Sequence, residues 1–443
     1  MILLRCQGCG KKVSVPAAGA APVLCPQSGN GRDHVLLPEL PLPSLRGDEK
    51  ESQPLLRFAD RMLAFHRCAA AGHPEIYQEI VRTLDARITA LTGQSFACTP
   101  LVRSDALSQY FGLDLRGGVW LKDDTQRPGG SHKGRHLFGT MVELLVGESL
   151  SSSHPSAVQK PLAIASCGNA ALAAAVIARA AERPLLVFIP ADAEPSVVLR
   201  LRELQAEITV CHRREGESGD PCYLRFLESV RAGAVPFCCQ GTDNGLTIEG
   251  GQTLLAEALC ELEAAARTPS RIVVQVGGGA LASACSLAIE TALSTGLLSS
   301  RPRFYTAQTT AVAPLHRAYQ RLRTELGDAL DSFTEQDWYQ VAAEKRRYMW
   351  PWERVSASAA HGILDDETYD WLALVKAMAR SGGRPLVIPE ETILAGNALA
   401  KDATGIAVSA TGSAGLAGLL HLHKEEPLQP DENVLCLFTG VMR

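Results

Sequence analysis

Lys133 stands in Gly130-Ser131-His132-Lys133-Gly134-Arg135, where an amphipathic stretch opens directly after the turn Arg127-Pro128-Gly129-Gly130. A primary amine at a helix start lies in the positive field of the helix N-terminus and suits imine chemistry with an aldehyde. A lysine taken at random is a solvated surface residue, so its surroundings decide the reading. Three other loops of small residues each follow an apolar run: Ser166-Cys167-Gly168-Asn169-Ala170, Gly277-Gly278-Gly279-Ala280 and Thr439-Gly440. The triple glycine precedes a helical stretch from Leu281, where backbone N–H groups and the helix N-terminus form an anion cradle. Taken alone, those glycines equally suit a tightly packed strand-to-helix turn. Neither a Walker-type Gly-Lys-Ser/Thr ending nor Gly-x-Gly-x-x-Gly occurs, which disfavours an ordinary nucleotide site.

These loops need elements to hold them. Strands are expected at 119–122, 162–166, 185–190, 208–211, 272–276, 304–308 and 434–438, with helices at 170–181, 253–266 and 281–294 between them. That alternation implies parallel sheets with helices on both faces. Loops beyond the carboxyl ends of such strands are where ligands bind in open α/β sheets. Upstream, 1–36 is a cysteine-bearing module, 37–54 a Pro-rich and charged linker, and 54–92 carries apolar residues at helical spacing, notably Ile76, Ile80, Val81, Leu84 and Ile88.

The 443 residues allow two or three cores, and 46% hydrophobic against 21% charged residues describes an ordinary globular chain. A formal charge of −5 argues against nucleic-acid or anionic-membrane surfaces. Residues 161–181 are the most apolar stretch, but Gly168, Asn169 and Arg179 interrupt it, so no membrane span is expected. The 13 cysteines, odd in number and scattered, do not suggest a disulfide framework. A cytoplasmic protein with reduced thiols is expected.

In combination and in order, these motifs resemble the fold type II (tryptophan synthase β-like) pyridoxal-phosphate (PLP) enzymes, and among them the threonine synthases. Ser131-His132-Lys133-Gly134-Arg135 resembles their lysine motif, Ser166-Cys167-Gly168-Asn169-Ala170 their Ser-x-Gly-Asn loop, and Gly277-Gly278-Gly279-Ala280 their phosphate loop. The resemblance implies an α/β fold of two open, mainly parallel-sheet domains with PLP in the cleft between them. A catalytic region would span 95–443, with a smaller domain of about 135–240 inserted in the larger one, after a linker and helices at 37–94. Lys133 would be the catalytic, Schiff-base lysine. Asn169 would hold the cofactor's ring oxygen, and Gly277, Gly278, Gly279 and Ala280 its phosphate. Thr439 would meet the pyridine nitrogen, while Ser131, Ser166, Gly168 and Ala170 would take the substrate carboxylate. A hydroxyl opposite the nitrogen leaves the ring largely unprotonated, a milder electron sink that favours expulsion of a leaving group.

There are departures from the family pattern. His132 stands where Phe is usual in threonine synthases, and Gly134 replaces the usual acidic residue after the lysine. Cys6-Gln7-Gly8-Cys9, followed by Cys25-Pro26, resembles the zinc-ribbon start of some threonine synthases, with Ser28 where the last cysteine belongs. That resemblance, with His34 as fourth ligand, implies a structural zinc site of Cys6, Cys9, Cys25 and His34. His136 and the string Tyr348-Met349-Trp350-Pro351-Trp352 read as packing residues, and Asp365-Asp366-Glu367 as a helix N-terminus.

The expected activity is PLP-dependent elimination or replacement on an amino acid with a β- or γ-leaving group, as in threonine synthase. The alternatives are a β-eliminating lyase (serine/threonine dehydratase or diaminopropionate ammonia-lyase type), a β-replacement synthase, and a non-catalytic PLP-fold binding protein. A homodimer is expected by resemblance alone.

Overall fold

A computed structural model describes residues 2–29, 31–41, 46–151, 159–217 and 219–442; residues 42–45 of the expected linker lie outside that set. The chain starts with β1 (Leu3–Cys6), β2 (Lys12–Ser14) and β3 (Leu36–Glu39), an antiparallel sheet of order β2-β1-β3. Because β3 runs on to Glu39, the amino-terminal sheet continues into the stretch read as linker. Helices Leu63–Ala70 and Pro74–Thr92 follow, the second burying Tyr77, Val81, Leu84 and Ile88 on one face. Gly93 ends it in the left-handed conformation, φ 74°, that favours glycine.

The remaining strands are β4 (Leu101–Ser104), β5 (Gly118–Asp123), β6 (Leu162–Ala165), β7 (Leu185–Pro190), β8 (Glu207–Cys211), β9 (Val235–Pro236), β10 (Arg271–Gln275), β11 (Arg303–Thr309), β12 (Pro385–Ile388) and β13 (Asn433–Phe438). They make two sheets. The larger has order β12-β11-β10-β13-β5-β4, parallel except for β4 on β5; the smaller, β8-β7-β6-β9, is wholly parallel. Every residue of β10 and β13 is buried, which is why these central strands read as unbroken apolar runs. The edge strands β4, β9 and β12 are short, and their patterns carry little of that signal.

The helix Thr247–Ala264 begins earlier than the expected 253 because Gly250 and Gly251 lie inside it. Glycine in a helix interior normally weakens it. Here it permits contact: a Cβ on Gly250 would come within 2.1 Å of the Arg135 carbonyl oxygen, and one on Gly139 within 3.0 Å of Gly250 Cα. Two helices, Lys133–Ser149 and Thr247–Ala264, thereby touch backbone to backbone. Among the described residues no helix is long and apolar enough to cross a membrane.

Candidate active site

Lys133 is the first residue of its helix, with His132 at the N-cap. Two glycines with positive φ, Gly129 (82°) and Gly130 (71°), turn the chain into it. Ser131 bridges to Gly440, the Val441 N–H donates to the Gly130 carbonyl at 3.0 Å, and the His132 N–H donates to the Thr439 carbonyl at 3.2 Å. The lysine turn is thus fastened to the end of β13, and two motifs far apart in sequence meet. Ser131 Oγ is buried without a protein partner.

The departure at Gly134 has a steric cause. A Cβ there would meet the Phe96 ring at 2.9 Å and the Pro128 carbonyl oxygen at 3.1 Å, so no acidic side chain fits. The next residue carries the anchoring charge. Arg135, buried, spans Asp124 and Glu257, with Nη2–Asp124 Oδ1 at 2.8 Å. Arg127 Nε reaches Asp124 Oδ1 at 2.9 Å, and Lys122 Nζ reaches Glu257 Oε2 at 2.9 Å. Asp124 and Glu257 were not singled out from sequence. Their only signal was a charge among apolar residues beside the motif.

Thr439 is 2% exposed and its hydroxyl oxygen accepts from Gln275 Nε2. Gln275, the last residue of β10, also donates to the carbonyls of Gly412 (3.0 Å) and Leu437 (3.2 Å), which fixes its amide. With that lone pair used, the Thr439 hydroxyl proton is free to donate. Asn169 opens the helix Asn169–Ala180 beyond β6. Its Nδ2 lies 3.5 Å from where a Gly440 Cβ would stand, which places it beside the Thr439 loop. Ser166 Oγ accepts from the Gly168 N–H at 3.3 Å, and a Cβ on Gly168 would meet nothing within 4 Å, so the loop surface there is open.

The glycine loop follows β10 and ends at Gly279 (φ 101°), the N-cap of the helix Ala280–Ser294. The segment after Ile363 straps it: Thr368 Oγ1 donates to the Gly277 carbonyl and the Asp370 N–H to the Gly278 carbonyl, each at 3.0 Å. Asp365, Asp366 and Glu367 are therefore not a helix N-terminus, since the next helix is Trp371–Ser381. Burial raises the Asp365 carboxyl, and the Lys133 charge and the Gly278 N–H oppose that rise.

Burial holds the imidazole of His132 well below its ordinary value, and its Nδ1 lies 3.3 Å from the Thr439 carbonyl. His136 is pushed down to about 4 by burial; its ring packs where a Gly251 Cβ would come within 2.1 Å. The Trp350 ring lies under Arg317 at 3.8 Å, and the Trp352 N–H donates to the Asp366 carbonyl at 2.9 Å.

At the amino terminus the ligand atoms of Cys6, Cys9, Cys25 and His34 all lie within 4.8 Å of one another. Cys6 Sγ is 3.3 Å from His34 Nδ1 and Cys9 Sγ 3.7 Å from Cys25 Sγ. Burial pushes the Cys6 thiol up to about 12 and lowers His34. Three buried or half-buried thiols around one imidazole suit a soft divalent cation, which would stabilise the thiolates.

The donors gathered at Lys133 fit PLP: an amine for its aldehyde, backbone amides at a helix N-terminus for its phosphate, the unpartnered Ser131 Oγ, and a free hydroxyl proton at Thr439. Comparisons with known proteins agree. Residues 94–440 match the family described as "Pyridoxal-phosphate dependent enzyme". A human protein described as "Serine dehydratase-like" is 31% identical over 188 residues, which cover 41% of this chain and 49% of that one; about half of the relative is matched. The processed form of threonine deaminase isoform 2 from Solanum lycopersicum superposes with a TM-score of 0.57 at 16% identity, over 78% of this chain and 84% of that one. Diaminopropionate ammonia lyase of Escherichia coli gives 0.58 at 16% identity, over 82% and 88%. Maize serine racemase gives 0.56 at 16% identity, over 82% and 92%. At such identities these likenesses show the fold, and the family match covers most of the chain. The chain belongs to the pyridoxal-phosphate dependent enzyme family.

Proposed function

We propose that this chain is a β-eliminating, ammonia-lyase-type enzyme acting on an amino acid with a leaving group at Cβ. The observation that carries this reading is the buried Thr439 hydroxyl, fed by Gln275 and free to donate its proton. When bound, the cofactor supplies an electron sink for the pair released at the substrate's Cα, a mild one if its ring nitrogen meets only a hydroxyl. Lys133 would hold the cofactor and then, freed by the substrate's amine, take the proton from Cα. Asn169 would hold the ring oxygen. Ser131, Ser166 and the amides of Gly168 and Ala170 at the start of the helix Asn169–Ala180 would orient the substrate carboxylate. Gly277 to Ala280 would hold the phosphate.

The descriptions of the human relative and of the deaminase and ammonia lyase structures support elimination over phosphate displacement. An assay of purified protein over a panel of amino acids tests the proposal. Ammonia released together with a 2-oxo acid is expected; release of phosphate from phosphohomoserine without either product overturns it. We extend the proposal to the amino terminus, where Cys6, Cys9, Cys25 and His34 would hold zinc in a closed structural set.

A further inference from the structure

A carboxylate stands where the glycine loop presents its donors. A Cβ on Gly277 would come within 2.1 Å of Asp365 Oδ2, and one on Gly278 would lie 3.9 Å from the Asp365 carboxyl carbon. The Gly278 N–H faces the same carboxylate and favours its ionised form. The strap fixes Asp365 there: Gly362 N–H donates to Thr411 Oγ1 at 3.0 Å before it, and Thr368 and Asp370 bond to the loop after it. Nest-like glycine amides at a helix N-terminus do not discriminate between a carboxylate and a phosphate, because both are anions with acceptor oxygens.

We propose that Asp365 is a built-in competitor for the glycine loop: its carboxylate and a phosphate monoester contend for the same backbone donors, so cofactor loading is opposed by this side chain. The inference rests on the reading of Gly277 to Ala280 as the phosphate cradle. The charged and titratable groups that face Asp365 are Lys133 from the lysine turn, and Asp366 and the phenol of Tyr369 from its own segment. Lys133 favours the carboxylate form, while Asp366 and burial disfavour it. Only the ionised carboxylate competes. The carboxyl does no covalent chemistry in this role.

The test measures equilibrium binding of PLP and, separately, of inorganic phosphate to the cofactor-stripped full chain between pH 6 and 8.5. It compares wild type, Asp365→Asn, Asp365→Ser and, as a control one residue away, Asp366→Asn, each checked by circular dichroism for a wild-type fold. Loss of a charged competitor for one amide is expected to tighten binding at pH 8 by about tenfold in Asp365→Asn, the size of one charge-assisted hydrogen bond. Asp365→Ser should follow Asp365→Asn, and Asp366→Asn should change affinity far less. Phosphate alone should show the same order, since the effect does not need Lys133. If both Asp365 variants bind at or below wild-type affinity at pH 8, the competition is refuted and the cofactor reading stands. If neither wild type nor the variants bind PLP at any pH, the cofactor reading falls and the competition with it.

Discussion

Arg135 Nη2 lies 2.8 Å from Asp124 Oδ1 and 3.1 Å from Glu257 Oε2, so one side chain ties the helix that starts at Lys133 to the end of β5 and to the helix Thr247–Ala264. Burial alone would raise both carboxyls. The charge of Arg135, joined by Arg127 at Asp124 and by Lys122 and Arg127 at Glu257, overrides it and holds both below the usual carboxylate range, Glu257 at about 2.

Arg135→Met should therefore destabilise the fold by about 3–5 kcal/mol, the cost of leaving a buried carboxylate without its partner. The measurement is the urea midpoint at pH 7. Acid should act in the same direction on the wild type. The contribution of Glu257 is present above its ordinary value of 4.5 and is lost as pH falls through about 2. An Arg135→Met chain as stable as wild type would mean that these five buried charges are not acting as a unit.

The two lysines near the motif should separate cleanly. Lys122 is fully buried against Glu257 (2.9 Å) and Glu261 (2.7 Å), so it is committed to structure. Lys133→Ala should fold normally and lose the absorption band expected at ~410–420 nm from a lysine-bound cofactor. Lys122→Met should keep the band but unfold at lower urea, by about 1–3 kcal/mol, because Glu257 and Glu261 lose a buried charged donor. A band that survives in Lys133→Ala would overturn the assignment of the lysine.

Much of this site was legible in the sequence because its parts are strand-end loops with rigid chemical demands. Lys133, Asn169, the triple glycine and Thr439 announced themselves through glycines and apolar runs beside them. Gln275 did not. As the last residue of a buried strand it looked like part of an apolar run, and its task depends on Gly412 and Leu437, more than 130 residues away. Asp365 was misread for a related reason. A run of three carboxylates ahead of a helix normally serves the helix dipole, and only the strap of Thr368 and Asp370 on the glycine loop shows otherwise. The early start of the helix Thr247–Ala264 was hidden by Gly250 and Gly251, whose value lies in a close helix contact that sequence does not display.

Asp370 gives a stability signature of opposite sign to Glu257. It is 2% exposed, accepts from the Gly241 N–H at 3.3 Å, and burial raises its carboxyl to about 8, with Asp33 and Asp243 adding to the rise and Lys345 opposing it. The folded chain keeps this proton far above the pH at which an unfolded chain releases it. Its contribution is therefore full below about pH 4 and is lost as pH rises through about 8. Wild type should show a lower urea midpoint at pH 8.5 than at pH 5.5. Asp370→Asn, which keeps an acceptor for Gly241 and carries no charge, should show a clearly smaller drop. An equal drop in both chains would assign the effect to other groups.

The amino-terminal cluster makes the last prediction, and it concerns stability rather than catalysis. The module is not a free appendage: a Cβ on Gly245 would come within 1.9 Å of the Leu36 carbonyl oxygen, and Gly241 would meet Val35 Cγ1 at 3.3 Å, so β3 lies against the loop that carries Asp243. Three thiols and one imidazole within 4.8 Å of one another would give zinc a closed ligand set, and closed zinc sites add binding energy directly to folding. Metal analysis of purified wild type should give close to one zinc per chain, and Cys6→Ser close to none. Cys68→Ser, a buried cysteine outside the cluster, should retain the metal. Chelation should lower the melting temperature of wild type and leave that of Cys6→Ser unchanged. Because the cofactor loops lie elsewhere in the chain, Cys6→Ser that still folds should keep the ~410–420 nm band expected of a lysine-bound cofactor. Wild type without metal, and insensitive to chelator, would reduce the four residues to a packed cluster of thiols.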